Sequence, residues 1–246
     1  MIIYQYPQLS PPMSCPYLSG RLLVYEHFLA DCLDGRELAW FLSRGWRKFG
    51  HYFFRPACPD CRACIPLRIA VDRFRPSRSQ RRAAQKCRDI ETRFGPLRYD
   101  EDVFSLYAAH SSTRFGKSAD FEEFAANLHS PSCPTLMSRY ELGERLLGAG
   151  YLDQSIDALS SVYFVFDPAF SALSLGVFSV LREVEEARRY GLSYYYLGYL
   201  VRECPRMTYK ARFAPHQLYS WADRRWREPG HADQSPYPGT IHLFSG

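Results

Sequence analysis

The chain has 246 residues, 46% of them apolar and 16% aromatic, enough to bury a sizeable core as one large domain or two small ones. A formal charge of +5 excludes a generally basic protein of the histone type, so an anionic partner must be met by local clusters. No apolar run reaches the roughly 20 residues of a membrane span, and Tyr4, Gln5, Tyr6 and Pro7 interrupt any secretory signal; the expectation is a cytoplasmic protein with no membrane partner and reduced cysteines.

The first twenty residues carry four prolines and end in Gly20, which predicts an extended arm that no helix continues through. Glu37 to Leu42, stopped by Gly45, reads as a short helix, and GWRKFGHYFFRP after it as a turn and an aromatic strand. That strand delivers the chain to Cys58, Cys61 and Cys64, a C-x2-C-x2-C cluster whose spacer is long enough to wrap an ion and short enough to limit loop entropy. With Cys15 as the fourth ligand the set suits zinc or an iron-sulfur cluster; the plainer account is a loop that tolerates cysteine. Ile65, Leu67, Ile69 and Val71 then alternate as a strand.

From Arg73 to Arg88 there are seven basic residues and no acidic one. A solvated helix is normally laced with Glu and Asp, so Arg75, Arg78, Arg81 and Arg82, with the hydroxyls of Ser77 and Ser79, are candidates for holding phosphates. Two helices follow, the second behind a D-x-x-E cap at Asp120 and Glu123, with Phe121, Phe124, Ala125 and Leu128 on its core face. RLLGAGYLD and ALSSVYFVFDP read as an antiparallel pair. A helix from about Ser174 to Gly191 and the strand SYYYLGYL complete a strand, helix, strand unit, which favours parallel or mixed pairing of VYFVF with YYYLG.

Tyr199 at the end of that last strand and Tyr209, Lys210 and Arg212 after it stand where open α/β sheets tend to bind ligands. Read as a strand, the segment puts Lys210 and Arg212 on one face, able to present two cations to a carboxylate or phosphate; a basic rim is the plainer account. Asp167, at the end of VYFVFDP, is placed to order an amine, although an Asp-Pro turn explains it as well. No P-loop, G-x-S-x-G, H-E-x-x-H or G-x-G-x-x-G is present, so NTPase, hydrolase and dehydrogenase functions lack support.

SCPYLSGR, GWRKFGHYFFRPACPDCRACIPLRI, FRPSRSQRR, GAGYLDQSIDALSSVYFVFDP, SLGVFSVLREVEEARRYGLSYYYLGYLV and MTYKARFAP stand in this order over about residues 14 to 218. In that combination the chain resembles the aminoacyl-tRNA:protein transferases, the group of arginyltransferase and bacterial aspartate/glutamate leucyltransferase. The resemblance implies transfer of an amino acid, leucine rather than arginine given the short length and the C-x2-C-x2-C, from charged tRNA to the α-amine of proteins beginning with Asp or Glu, marking them for degradation. It implies an acetyltransferase-like (GNAT-like) α/β fold, a mixed sheet flanked by helices, with a cysteine-bearing N-terminal part over 1–100 and the larger domain over 101–246. It also implies N-terminal cysteines that hold an iron-sulfur cluster, although here Leu18 stands where relatives with a C-x2-C arm have a second cysteine.

Aminoacyl-tRNA is an activated ester, so the transfer requires no cofactor and no covalent nucleophile, only positioning of an amine and of the tRNA end. Asp167 and Lys210 are the residues expected to act in the reaction, Asp167 by engaging the α-amine. Arg47, Arg55, Lys210 and Arg212 are candidates for the acidic side chain, with Tyr199 and Tyr209 beside them, and Arg75, Arg78, Arg81 and Arg82 for tRNA phosphates or that same acidic residue. A non-catalytic, cluster-bearing RNA-binding module would use the same basic surface, and a small-molecule N-acyltransferase would share the fold.

Overall fold

The computed structural model describes residues 1–230. In chain order the elements are β1 (Ile2–Leu9), β2 (Met13–Ser14), β3 (Leu22–Leu23), β4 (Tyr25–Asp31), α1 (Gly35–Ser43), β5 (Arg47–Phe49), β6 (Tyr52–Pro56), β7 (Ile65–Ala70), α2 (Arg78–Lys86), β8 (Glu91–Pro96), α3 (Glu101–Phe115), α4 (Phe121–Leu128), β9 (Thr135–Leu142), β10 (Arg145–Gln154) and β11 (Ala158–Phe166). A 3-10 segment, Pro168–Leu173, leads to α5 (Leu175–Arg189), β12 (Tyr194–Leu200), α6 (Pro205–Thr208), a 3-10 turn at Tyr209–Arg212, β13 (His216–Ser220) and β14 (Arg225–Arg227).

Local chemistry sets the helix starts. Asp34 with Glu37 and Ser77 with Gln80 form capping boxes at α1 and α2, and Asp100 and Asp120 cap α3 and α4; each such cap stabilises its helix by about 1 kcal/mol. The proline-containing arm is a strand rather than a free tail: β1 is the edge of a four-stranded antiparallel sheet of order β1-β4-β6-β5.

The second sheet has eight strands in the order β14-β13-β7-β12-β11-β10-β9-β8. Only β11 and β12 are parallel, joined through α5, because a parallel neighbour needs a crossover. The expected mixed sheet flanked by helices is therefore present. Successive residues of its strands point to opposite faces: Leu159 and Tyr195 pack against Val180, Val184 and Ala187 of α5, while Ala158 and Tyr196 pack against Phe28, Leu38 and Trp46 from the four-stranded sheet and α1. α3 and α4 cover the same second face through Val103, Leu106, Phe124 and Leu128, over Tyr151 and Val165.

A buried ion pair crosses between the two sheets, Lys48 Nζ on β5 to Asp153 on β10 at 3.0 Å. Strands from before residue 100 also build the larger sheet: β7 lies between β12 and β13, and β8 is one edge. Among the described residues no helix is long and apolar enough to cross a membrane.

One expectation fails. The segment after β12 is helical, not extended, and in a 3-10 turn residues two apart point in different directions; Lys210 is buried and Arg212 exposed.

Candidate functional site

β11 and β12 pair only at Ala158↔Tyr194, Leu159↔Tyr195 and Ser160↔Tyr196. Both strands run on, to Phe166 and Leu200, without further rungs between them. The register of β12 against β7 shifts between Tyr196 and Gly198, and Gly198 has φ +88, a backbone conformation that glycine adopts without strain. This irregularity turns β12 away and opens a gap in the middle of the sheet.

Two cations reach the gap. Arg47, delivered by β5, donates from Nη1 to Ser160 Oγ at 2.9 Å and from Nη2 to the Ser161 carbonyl. Lys210, delivered by the 3-10 turn, donates from Nζ to the Tyr199 carbonyl at 2.9 Å. A Cβ on Gly198 would lie 3.2 Å from Lys210 Nζ and 3.9 Å from Arg47 Nη2, so the glycine also leaves room for both groups. Tyr199 donates its hydroxyl to the Gly45 carbonyl at 2.9 Å, fixing the turn from which β5 and Arg47 start.

Burial, and then the Arg47 charge, pull the Lys210 ammonium down to about 7; the thiols of Cys64 and Cys204 act weakly in the other direction. Burial also lowers Arg47. Among the described residues neither side chain forms a salt bridge with a carboxylate. Asp153, the acid nearest in charge to Arg47, is already paired with Lys48. Two desolvated cations without a counter-ion make a site for an anion.

The other candidate residues are spread over the molecule. Arg55 pairs with Glu26 at 2.6 Å and lies over the Trp46 ring. Tyr209 is packed against Phe213 and the α5 core. Asp167 caps the 3-10 segment after β11, accepting from Ala169 N at 3.0 Å with one oxygen and from Arg145 at 2.7 Å with the other. Arg75 is turned to the carbonyls of Asp72 and Phe74 and Arg81 to that of Pro76.

Arg78 and Arg82 project from α2 into solvent. Exposed Arg212 lies beside them in the fold, its carbonyl accepting from Gln80 Nε2 at 3.1 Å. Between α2 and α5 runs a cleft of about 460 Å³ with Arg81, Arg88, Arg182 and Arg188 at its sides and Phe74 and Phe178 on its floor.

Cys15, Cys58, Cys61 and Cys64 gather at one corner of the four-stranded sheet. The β2–β3 hairpin carries Cys15, and Val24 after it bonds the Ala57 amide and, through its own amide, Cys58 Sγ. Burial, then the charges of Cys58, Cys15 and Cys61, push the Cys64 thiol up to about 12. Thiols gathered in this way are the donor chemistry that a thiophilic ion takes. All four are free thiols, and among the described residues no three His, Cys, Asp or Glu side chains are closed to ligating distance.

Of the residues that sequence reasoning named, the structure brings Arg47, Tyr199 and Lys210 together; Gly198, Ser160 and Ser161, which line the gap with them, were not named. A glycine inside the aromatic strand YYYLGYL was the available signal, since such a glycine often marks a bulge.

The family description "Arginine-tRNA-protein transferase, N terminus" matches residues 13–82, and "Arginine-tRNA-protein transferase, C terminus" residues 102–220. The aspartate/glutamate leucyltransferase of Chromobacterium violaceum is 35% identical over 212 residues, covering 84% of this chain and 88% of its own. That of Stenotrophomonas maltophilia is 37% identical over 229 residues, covering 87% and 89%. Among solved structures, FemX aligns with a TM-score of 0.43 at 10% identity, covering 72% of this chain and 63% of that one.

Proposed function

This chain belongs to the arginine-tRNA-protein transferase family, and from that premise we propose that it moves leucine from leucyl-tRNA to the α-amine of proteins beginning with aspartate or glutamate. Leucine is favoured over arginine because the similar relatives carry the name aspartate/glutamate leucyltransferase.

The observation that carries the acceptor specificity is the uncompensated pair Arg47 and Lys210 beside Gly198. An acidic side chain entering the gap would meet both cations, and a neutral residue would leave them desolvated and unpaired. Discrimination of that kind is large, because the penalty falls on the site and not only on the lost contact. The α-amine attached to that residue is then held close to the gap, where it attacks the ester carbonyl. The C–N bond forms as the bond to the tRNA 3′-oxygen breaks.

Lys210, rather than Asp167, is the residue we assign to the reaction, since both oxygens of Asp167 are engaged elsewhere. The exposed Arg78 and Arg82, with Arg75, Arg81 and Arg212 near them, would take tRNA phosphates, where guanidinium forks match the oxygens. Cys15, Cys58, Cys61 and Cys64 would hold zinc or an iron-sulfur cluster, which supplies a cross-link between the hairpin and the loop before β7, apart from the transfer chemistry.

Incubating the protein with tRNA charged separately with labelled leucine or arginine, and with peptides beginning Asp, Glu or Gly, tests the proposal. Leucine should pass to the Asp and Glu peptides only, and Arg78→Glu/Arg82→Glu should weaken tRNA binding and flatten its salt dependence by about two phosphate contacts. Failure of transfer from any charged tRNA would leave the non-catalytic RNA-binding module.

A further inference from the structure

Two sets of cations flank α2. Arg78, Arg82 and Lys86 stand at i, i+4 and i+8, all exposed, and form one row on its outer side. Arg81, and Arg88 just past the end of the helix, lie on the flank turned to α5, at the side of the cleft of about 460 Å³ that Arg182 and Arg188 of α5 close from opposite. Glu185 is the one carboxylate among the residues that line this cleft, and it is paired with Arg182. Arg88 meets Asp89 at 3.5 Å, an exposed pair that little holds together. Arg188 is fixed in place by donating to the carbonyls of Val71 at 2.7 Å and Phe74 at 3.3 Å. The cleft thus keeps a surplus of guanidinium groups over an apolar floor, which suits a polyanion and not a neutral ligand.

The position of α2 relates these cations to the gap. At its start Gln80 Nε2 donates to the carbonyl of Arg212 at 3.1 Å, two residues from Lys210. At its end Lys86 Nζ reaches the carbonyl of Ala172 and Cys87 Sγ that of Leu173, both at 3.3 Å, just before α5 begins. The helix therefore runs from the turn that carries Lys210 to the start of α5. Its two sets of cations stand apart by the width of a helix with its side chains, about 10–12 Å.

We propose that α2 lies along the minor groove of an RNA duplex, the acceptor stem of the tRNA, with the phosphates of one strand on Arg78, Arg82 and Lys86 and those of the other strand in the cleft between α2 and α5. The proposal rests on the transferase function above and adds α5 and a second strand to the single basic face assigned there. The acceptor stem is the occupant because it is the duplex that adjoins the ester, and α2 begins beside the gap where the ester reacts. The minor groove of A-form RNA is wide and shallow and is recognised by shape and by its phosphates. A helix with cations along both flanks and no acidic residue from Arg73 to Arg88 matches that groove.

The test compares three leucylated donors with the same 3′ sequence: whole tRNA, a minihelix that keeps the acceptor stem, and a single strand. In the wild type the two duplex donors should have a KM about tenfold or more below that of the single strand. Arg88→Ala/Arg182→Ala should raise KM about tenfold for the duplex donors, lower the slope of log KM against log salt by about two, and leave KM for the single strand in place. Neutral methylphosphonate linkages in one strand of the stem should cancel the effect of this pair of substitutions and spare that of Arg78→Ala/Arg82→Ala; in the other strand, the reverse. Ala84→Glu, which adds a carboxylate to the lining of the cleft and removes no arginine, takes the place of the double variant if that does not fold by circular dichroism.

An unchanged KM for the duplex donors, an equal loss on the single strand, or one modified strand cancelling both pairs of substitutions would overturn the proposal. If the wild type transfers from none of the three donors, the transferase function falls with it; if it transfers and the minihelix has no advantage over the single strand, the stem contact alone falls.

Discussion

A lysine held near 7 in a protein core is kept at a cost. Lys210 ordinarily titrates at 10.5 and does so at about 7 here, so its contribution to stability is whole above 10.5 and drains away as pH falls toward 7. At neutral pH that amounts to as much as about 5 kcal/mol, at 1.36 kcal/mol per unit. Lys210→Met removes the burden and should raise Tm at pH 7 on the order of 10 °C while abolishing the preference for acidic acceptors. The gain should narrow steadily toward pH 10 in parallel thermal melts; a gain that stayed constant with pH would show that the ammonium is not what strains the core. Lys210 stood out in the sequence as a cation after a strand, but its burial beside Arg47 did not, because Arg47 lies over a hundred and sixty residues earlier and no local pattern relates the two.

Elements built from local signals were legible. The capping residue Asp120, the alternation from Ile65 and the glycine after α1 all mark boundaries that the backbone obeys. The turn at Tyr209–Arg212 was misread because basic residues carry no strong preference between a strand and a short 3-10 segment, and packing of Lys210 and Phe213 decided it. At the same scale, the hairpin of Cys15 and the loop of Cys58 to Cys64 are joined through Val24, which predicts that the two pieces share a bound ion. Cys58→Ser and Cys61→Ser should each lower the zinc or iron measured in the purified protein; undiminished metal in both variants would remove these residues from the ligand set.

Across the whole molecule, the four-stranded sheet is clamped to the eight-stranded one by Lys48 and Asp153. Burial works to lower the Lys48 ammonium, yet the Asp153 charge, with Cys133 and the hydrogen bond to Asp153, holds it raised. Removing one partner leaves the other charge buried, so Lys48→Met should cost about 3–5 kcal/mol in urea denaturation, with Lys48→Met/Asp153→Leu recovering more than half of it. A loss below about 1 kcal/mol in the single variant would mean that the pair does not hold the sheets together. The clamp matters to function because β5 carries both Lys48 and, one residue before it, Arg47: Lys48 points to Asp153 and Arg47 to the gap.

Hydrophobic period, capping chemistry and charge density are properties of neighbours in the chain, so the sequence by itself determined the central strands β7, β10, β11 and β12, most helices, the basic face of α2 and the family to which these segments in this order belong. The gap between β11 and β12 and the meeting of Arg47 with Lys210 there depend on strand order and on one glycine's backbone angle. Those were decided only in the tertiary structure, because they join residues that only the closed sheet brings within hydrogen-bonding distance.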